Sequence, residues 1–186
     1  MTAPSATPGH EALSHRTEVG NLPATGVDWF EATGWCRWAS AVLGETIELP
    51  TEEEWETAAR GPRGGLYPWG DAFDADALNW EGAAIGRPIP VGCFASAGSA
   101  WPDGPLDLLG NVWEWTRTIA DDAADGSALP PIGSGASDDE PSRALRRISR
   151  GTSFLNGRAL IRATYRGSDD PRIRYQRQGF RVVRRG

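Results

Sequence analysis

Apolar residues follow a helical period in only two stretches of the chain, both in its first third. In GVDWFEATGWCRWASAVLG, Ala32, Trp35, Cys36, Ala39 and Val42 share one face of a 3.6-residue repeat, which predicts a helix with that face buried. Asp28 followed by Glu31 has the spacing of a capping box, and Gly44 supplies the stop. In ELPTEEEWETAARG, Thr51 is the expected N-cap and Glu54 its box partner. Glu52 and Glu53 there sit where the helix dipole favours anions, Trp55, Ala58 and Ala59 form the buried stripe, and Gly61 ends the helix. Beyond Gly61 the texture changes to short apolar pieces between Gly, Pro, Asp and Ser clusters, which predicts short strands and long ordered loops. Strand character is clearest in ALRRISRGTSF and GFRVVRRG. Residues 1–25 are polar, Pro/Gly-rich and without period, so they predict a disordered or loosely docked lead-in. The acidic stretch 120–142 predicts a flexible surface loop. The expectation is one α+β domain over residues 26–186, two helices first and a strand-and-loop half after them.

Composition narrows the classes. The 186 residues are 39% hydrophobic and 24% charged, which suits one globular domain. No apolar run approaches the ~18–20 residues of a membrane span, and no short period repeats as in a coiled coil or solenoid. The start lacks a basic region followed by an apolar one, so no secretory signal is read and a cytoplasmic location is expected. Cys36 and Cys93 cannot build a disulfide framework and are expected as reduced thiols. The net charge of −6 hides a split: residues 1–142 hold 6 Arg against 23 acids, and residues 143–186 hold 13 Arg against 2. There is no Lys, so every cation outside the chain's own amino terminus and histidines is a planar guanidinium suited to bidentate or stacked contacts. A basic end can signal nucleic acid, but the acidic remainder favours neutralisation within the molecule, and nucleic acid is not the expected partner.

Seven motifs run in one order: GVDWFEATGWCRWA, LPTEEEWETAARG, YPWGD, LNW, LDLLGNVWEWT, SRGTSF and GFRVV. Together they resemble the formylglycine-generating enzyme (sulfatase-modifying factor) family over roughly residues 26–183. The resemblance implies an elaborated C-type-lectin-like fold. The family's N-terminal strands have no counterpart ahead of Gly26. Trp29, Trp35, Trp38, Trp55, Trp69, Trp80, Trp113 and Trp115 lie in or beside the matched segments and are expected as core, with their ring N–H groups tying loops together.

The family's oxidases carry a copper-binding cysteine pair just after the motif read here as RGTSF. No Cys follows Cys93, and Asn156 stands where the first is expected. Cu(I) needs soft thiolates, so no copper and no oxidase activity are expected. Cys36 and Cys93 are expected to be structural. His10 and His15, the only histidines, lie in the lead-in, and the pairs Asp121–Asp122 and Asp138–Asp139 lie in the acidic loop, so neither set suggests a catalytic centre. The resemblance implies one structural Ca²⁺, with side chains from Asp107 and Glu114 and carbonyls from Gly110 and Val112. The competing reading pairs Glu114 with an Arg and leaves Asp107 to cap a turn. A second calcium site of the family, at Asn79, lacks its acidic partner.

The remaining candidate is a recognition surface between RGTSF and GFRVV. That stretch resembles the variable proteins of diversity-generating retroelements, which share the lectin-like fold and bind ligands through diversified positions. The resemblance assigns the contact role to Leu155, Asn156, Gly157, Arg158, Leu160, Tyr165, Gly167, Ser168, Asp169, Arg172, Ile173, Tyr175, Gln176 and Arg177. Arg162, Arg166, Pro171 and Arg174 would be the frame. A non-catalytic domain binding a protein or small-molecule ligand is expected, with no membrane partner. The alternative is a divergent oxidase of the same family, or one completed by a second chain.

Overall fold

The computed structural model is described for residues 20–95, 98–120 and 145–186. Helix α1 spans Trp29–Leu43 and helix α2 Glu52–Arg60. Both capping boxes form. Asp28 accepts from the Glu31 amide while Glu31 accepts from Asp28, and Thr51 and Glu54 do the same. Gly44, in the left-handed conformation, stops α1. Between the helices lies a three-residue strand, β1 (Thr46–Glu48), too short to register as a strand pattern. The strands that follow are β2 (Trp113–Ile119), β3 (Arg147–Arg150), β4 (Arg166–Asp169), β5 (Gln178–Phe180) and β6 (Val183–Arg185).

Four of these form one sheet in the order β4-β3-β2-β5, with β5 parallel to β2 and the other pairs antiparallel; β6 returns to pair antiparallel with β1. Alternation along β2 feeds two cores. Trp115 turns toward α1 and packs with Ala32, Cys36 and Leu49. Glu114 meets Trp55 of α2, which heads a second cluster with Ala59, Leu78, Leu108, Leu109 and Ile161. The result is the expected α+β, C-type-lectin-like arrangement, in which loops carry much of the core.

Indole N–H groups hold those loops, as the composition suggested. Trp29 donates to the carbonyl of Thr116, Trp69 to Ala72, Trp80 to Ala75, Trp101 to Ala58 and Trp115 to Val27. In the LDLLGNVWEW turn, Gly110 has φ +76°, and a Cβ there would stand 2.3 Å from the Asn79 carbonyl oxygen, so no other residue fits.

Two expectations of burial need correction. Trp35 and Val42 are not buried but 45% and 63% exposed, and Trp38 is 60% exposed. Ala32 and Cys36 of α1 pack on Trp115, and Trp29 at the start of the helix reaches the Thr116 carbonyl of the same strand. Trp35 reaches no further than the edge of Phe180, with ring centroids 5.7 Å apart. Ala58 is only half-buried. At the described end of the lead-in, Asn21 and Val91 exchange hydrogen bonds, and just past it the Gly26 amide reaches the carbonyls of Tyr175 and Gln178. Residues 1–19 and 121–144, with His10, His15 and most of the acidic stretch, lie outside the described residues.

Both cysteines are free thiols, but only Cys36 is structural; Cys93 is exposed. Burial pushes the Cys36 thiol up to about 11, with the nearby Glu48 charge adding to the effect. The thiolate is the nucleophile, so native protein at pH 8 is expected to take one equivalent of iodoacetamide at Cys93, and a second only after unfolding. Peptide mapping of the alkylated protein checks this. Rapid native labelling of Cys36 would contradict its placement.

Candidate functional site

All fourteen residues of the candidate recognition surface lie off the core: none is buried, whereas Phe154, Ile161, Ala163, Pro171 and Gln178, interleaved with them, are. The buried residues act as pins. Ile161 and Ala163 enter the Trp55 cluster, and the Ala163 amide donates to the Leu66 carbonyl. Between pins the chain turns outward.

The structure divides the fourteen into two groups. One follows the outer sheet. Tyr165 meets Trp113 with ring centroids 5.8 Å apart, and Gly167 lies against the same indole, where a Cβ would come within 3.1 Å of the ring. Arg177 stacks on Tyr175 at 4.2 Å and its carbonyl accepts from the Trp113 amide. Burial raises the pKa of Asp169 above the ordinary carboxylate value, against the pull of Arg146 and Arg177. Ser168 takes Arg146 on its carbonyl and hydroxyl. The second group is the turn Leu155–Leu160, anchored where the Glu81 amide donates to the Asn156 carbonyl. Arg158 there stacks on Phe73 at 4.7 Å, and Leu155 is exposed. Asn156 is spent inward: its side-chain oxygen accepts from both the amide and the hydroxyl of Ser153. Arg172 is likewise engaged, by Asp170, which it holds down to about 2. Of the expected frame, only Pro171 is buried. Arg162, Arg166 and Arg174 are exposed but tethered, to the Ala159 carbonyl, to Glu52, and to Asp28 with Glu31.

Those tethers belong to a wider pattern. Arg150, Arg166, Arg174, Arg181, Arg184 and Arg185 all pair with acids from the first 114 residues. Arg158, Arg162 and Arg177 have aromatic rings beneath them instead. Six of the thirteen arginines after residue 142 are thus matched within the fold by acids of the first part of the chain.

Glu114 is buried in the central strand. Its carboxylate accepts from Trp55 Nε1 at 2.6 Å and from two nitrogens of Arg181, with Nη2 at 2.6 Å from Oε1. Nη2 also reaches the carbonyls of Leu106 and Asp107 at 3.1 and 3.3 Å. Burial opposes the Arg181 charge, but Glu114 outweighs it and raises the guanidinium's pKa. Asp107 turns its carboxylate to the Gly92 amide at 2.6 Å. Gly110 and Val112 lie in the same turn, both buried. As placed, these four residues do not fit a calcium cage, because a guanidinium stands against the one buried carboxylate. Arg181 lies in the GFRVV motif, and its pairing with Glu114 could have been suspected from charge alone; its identity as the partner required the parallel β2–β5 pairing.

A groove of about 1060 Å³ between α1, β1 and the end of β2, floored by Trp29, Cys36, Ile47 and Leu49, contains none of the candidate residues. Nothing in the sequence pattern pointed to it.

Arg181→Gln strands the buried Glu114 charge with one indole partner, and breaking such a pair costs ~3–5 kcal/mol. At about 2–4 °C per kcal/mol, the melting temperature is expected to fall by roughly 6–20 °C. In the unsubstituted protein, EDTA and millimolar Ca²⁺ are expected to give the same melting temperature; a rise with Ca²⁺ would show that the ion displaces Arg181 from Glu114.

With the site described, its relatives can be placed. Residues 2–186 match the Sulfatase-modifying factor enzyme 1-like domain, a match that begins ahead of the first quoted motif. The chain is 34% identical over 180 residues to the mouse protein named Inactive C-alpha-formylglycine-generating enzyme 2, covering 87% of this chain and 49% of that one. It is 33% identical over 183 residues to Hercynine oxygenase of Mycolicibacterium smegmatis, covering 92% of this chain and 39% of that one. Treponema denticola variable protein 1 shares the fold, with a TM-score of 0.66 at 20% identity over 88% of this chain and 71% of that one. The chain spans less than half the length of these two curated relatives. The match over almost its whole length shows that the chain belongs to the sulfatase-modifying factor (formylglycine-generating enzyme-like) domain family.

Proposed function

We propose that the chain is a non-catalytic ligand-binding domain whose recognition surface is built from residues 155–177. The observation that carries this reading is the separation of duties within the segment: its pins are buried and its fourteen candidate residues are not. Tyr165, Tyr175, Arg158 and Arg177 supply flat rings and stacked guanidiniums, the chemistry of protein hot spots and of aromatic or anionic small molecules. In its sharper form the surface is diversified, as in the variable protein whose fold it shares. Its relationship to an inactive formylglycine-generating enzyme supports a binding role without oxidation. Calcium at Asp107, Gly110, Val112 and Glu114 forms no part of this proposal, because Arg181 holds the Glu114 carboxylate.

The alternative of an oxidase gains some support from the relationship to a hercynine oxygenase. It meets one chemical obstacle in the copper-dependent form: no thiol follows Cys93, and Asn156 is committed to its own turn.

A displayed library randomised at Leu155, Arg158, Tyr165, Arg172, Tyr175 and Arg177 separates the readings. Surface substitutions away from special features cost within about ±0.5 kcal/mol each, so most clones are expected to stay folded. Selection on an arbitrary protein probe, such as hen lysozyme, is expected to yield binders. A library that mostly unfolds would defeat the proposal. Incubation of the unsubstituted protein with copper and a cysteine-containing sulfatase peptide is expected to leave the peptide without an aldehyde, and turnover would favour the oxidase.

A further inference from the structure

The outward face of α1 is apolar without a covering partner among the described residues. Around the helix, Ala32, Cys36 and Ala39 meet the sheet, but the apolar arc continues through Trp35, Trp38 and Val42, which remain 45–63% exposed. Scattered exposed apolar residues are ordinary; two adjacent indoles, with ring centroids 6.0 Å apart and continuous with Phe180 through Trp35, form a patch.

The positions on this face are Glu31, Gly34, Trp35, Trp38, Ala41, Val42 and Glu45, the last just past the helix end, with the spacing of a coiled-coil-like seam. The series is arranged symmetrically about Trp38. When two such helices approach antiparallel across a twofold axis at Trp38, position 35 of one faces 41 of the other and position 34 faces 42. Trp35 then lies over Ala41 and Val42 over Gly34, a large residue against a small one each time. A Cβ on Gly34 would meet nothing within 4 Å, so the hole for Val42 is open. At each end Glu31, paired with Arg174, comes beside Glu45, paired with Arg184, and the four side chains form a cluster of alternating charge. With indoles offering ~150–250 Å² each, the two half-exposed rings and their aliphatic neighbours present several hundred Å² of apolar surface. With the charged rim, that approaches the ~800 Å² per partner of a standard interface.

We infer that this face of α1 is a homodimer interface, occupied by α1 of a second copy in antiparallel register about Trp38. An isologous contact buries the same residues twice, and a central Trp is the residue type on which such interfaces concentrate their affinity. The interface leaves the Tyr165, Tyr175 and Arg177 surface untouched.

Sedimentation velocity of the full chain from roughly 1 to 100 μM tests this. A concentration-dependent dimer is expected. Trp38→Glu, which sets two carboxylates together on the axis, should raise the dissociation constant at least tenfold while circular dichroism and melting temperature of the monomer stay as before. Ala41→Trp, which fills the space meant for Trp35, should weaken the dimer as well. A chain that is monomeric throughout this range overturns the inference, including when a different polypeptide is found on the face. A dimer indifferent to Trp38→Glu overturns it too, because association would then run through another surface.

Discussion

One buried carboxylate organises the fold. Glu114 lies in the central strand of the larger sheet, and a charge taken out of water there must be met on all sides. Trp55 meets it from α2, and Arg181 meets it from the turn after β5. Through Nη2 the same guanidinium also gathers the carbonyls of Leu106 and Asp107 from the loop before β2. A helix, the sheet, a long loop and the C-terminal turn are therefore fixed by one ionic group. This matters where the described residues hold two α-helices and strands of three to seven residues, and regular hydrogen bonding alone leaves long loops unsupported. The indole N–H bonds to backbone carbonyls carry the rest of that task.

The same logic explains why the acidic and arginine-rich parts of the chain are separated in sequence. The C-terminal third supplies guanidiniums and the helices supply carboxylates, so pairing them draws the last strands back over the first elements. Arg150 is fully buried between Glu52 and Glu56, Arg174 bridges Asp28 and Glu31 at the start of α1, and Arg185 meets Glu48 and Glu54. Several of these pairs are half-exposed and contribute little stability individually. Their value is positional: each is a long-range link between chain ends that β1 and β6 join by only three residues apiece.

Much of this was legible in the sequence. Both helices, their caps and stops follow from short-range chemistry, and so does the strand-rich second half. Internal neutralisation of the arginines follows from charge counting. The burial of individual side chains on α1 does not. Periodicity places Trp35 and Val42 beside Ala32 and Ala39, but how much of an apolar arc is covered depends on how wide a surface the sheet presents. Here that surface is one indole, Trp115, with small residues against it. β1 was invisible because three residues carry no period, and the groove beside it was invisible because it is lined from three separate elements. Of the candidate surface, the resemblance named Arg162, Arg166, Pro171 and Arg174 as the frame, but only Pro171 of these is buried; the pins Phe154, Ile161, Ala163 and Gln178 emerge only from the fold. The commitment of Asn156 to Ser153 and of Arg172 to Asp170 was not legible either, since both depend on local turn geometry.

That last distinction bears on what the C-terminal segment can do. Oxidation by copper would require thiolates at positions that here hold an amide occupied by its own turn and side chains with no soft donor. With Asn156 spent on the Ser153 turn and Arg172 on Asp170, Leu155, Tyr175 and Gln176 stay exposed, and Arg158, Tyr165 and Arg177 lie against Phe73, Trp113 and Tyr175. Tyr165, Tyr175, Arg158 and Arg177 combine planar surface with a polar edge, and the backbone between them is held by buried neighbours such as Ile161, Ala163, Pro171 and Gln178. If the segment binds a ligand as proposed, its specificity would be set by which side chains occupy these positions, because the buried residues between them hold the backbone in place.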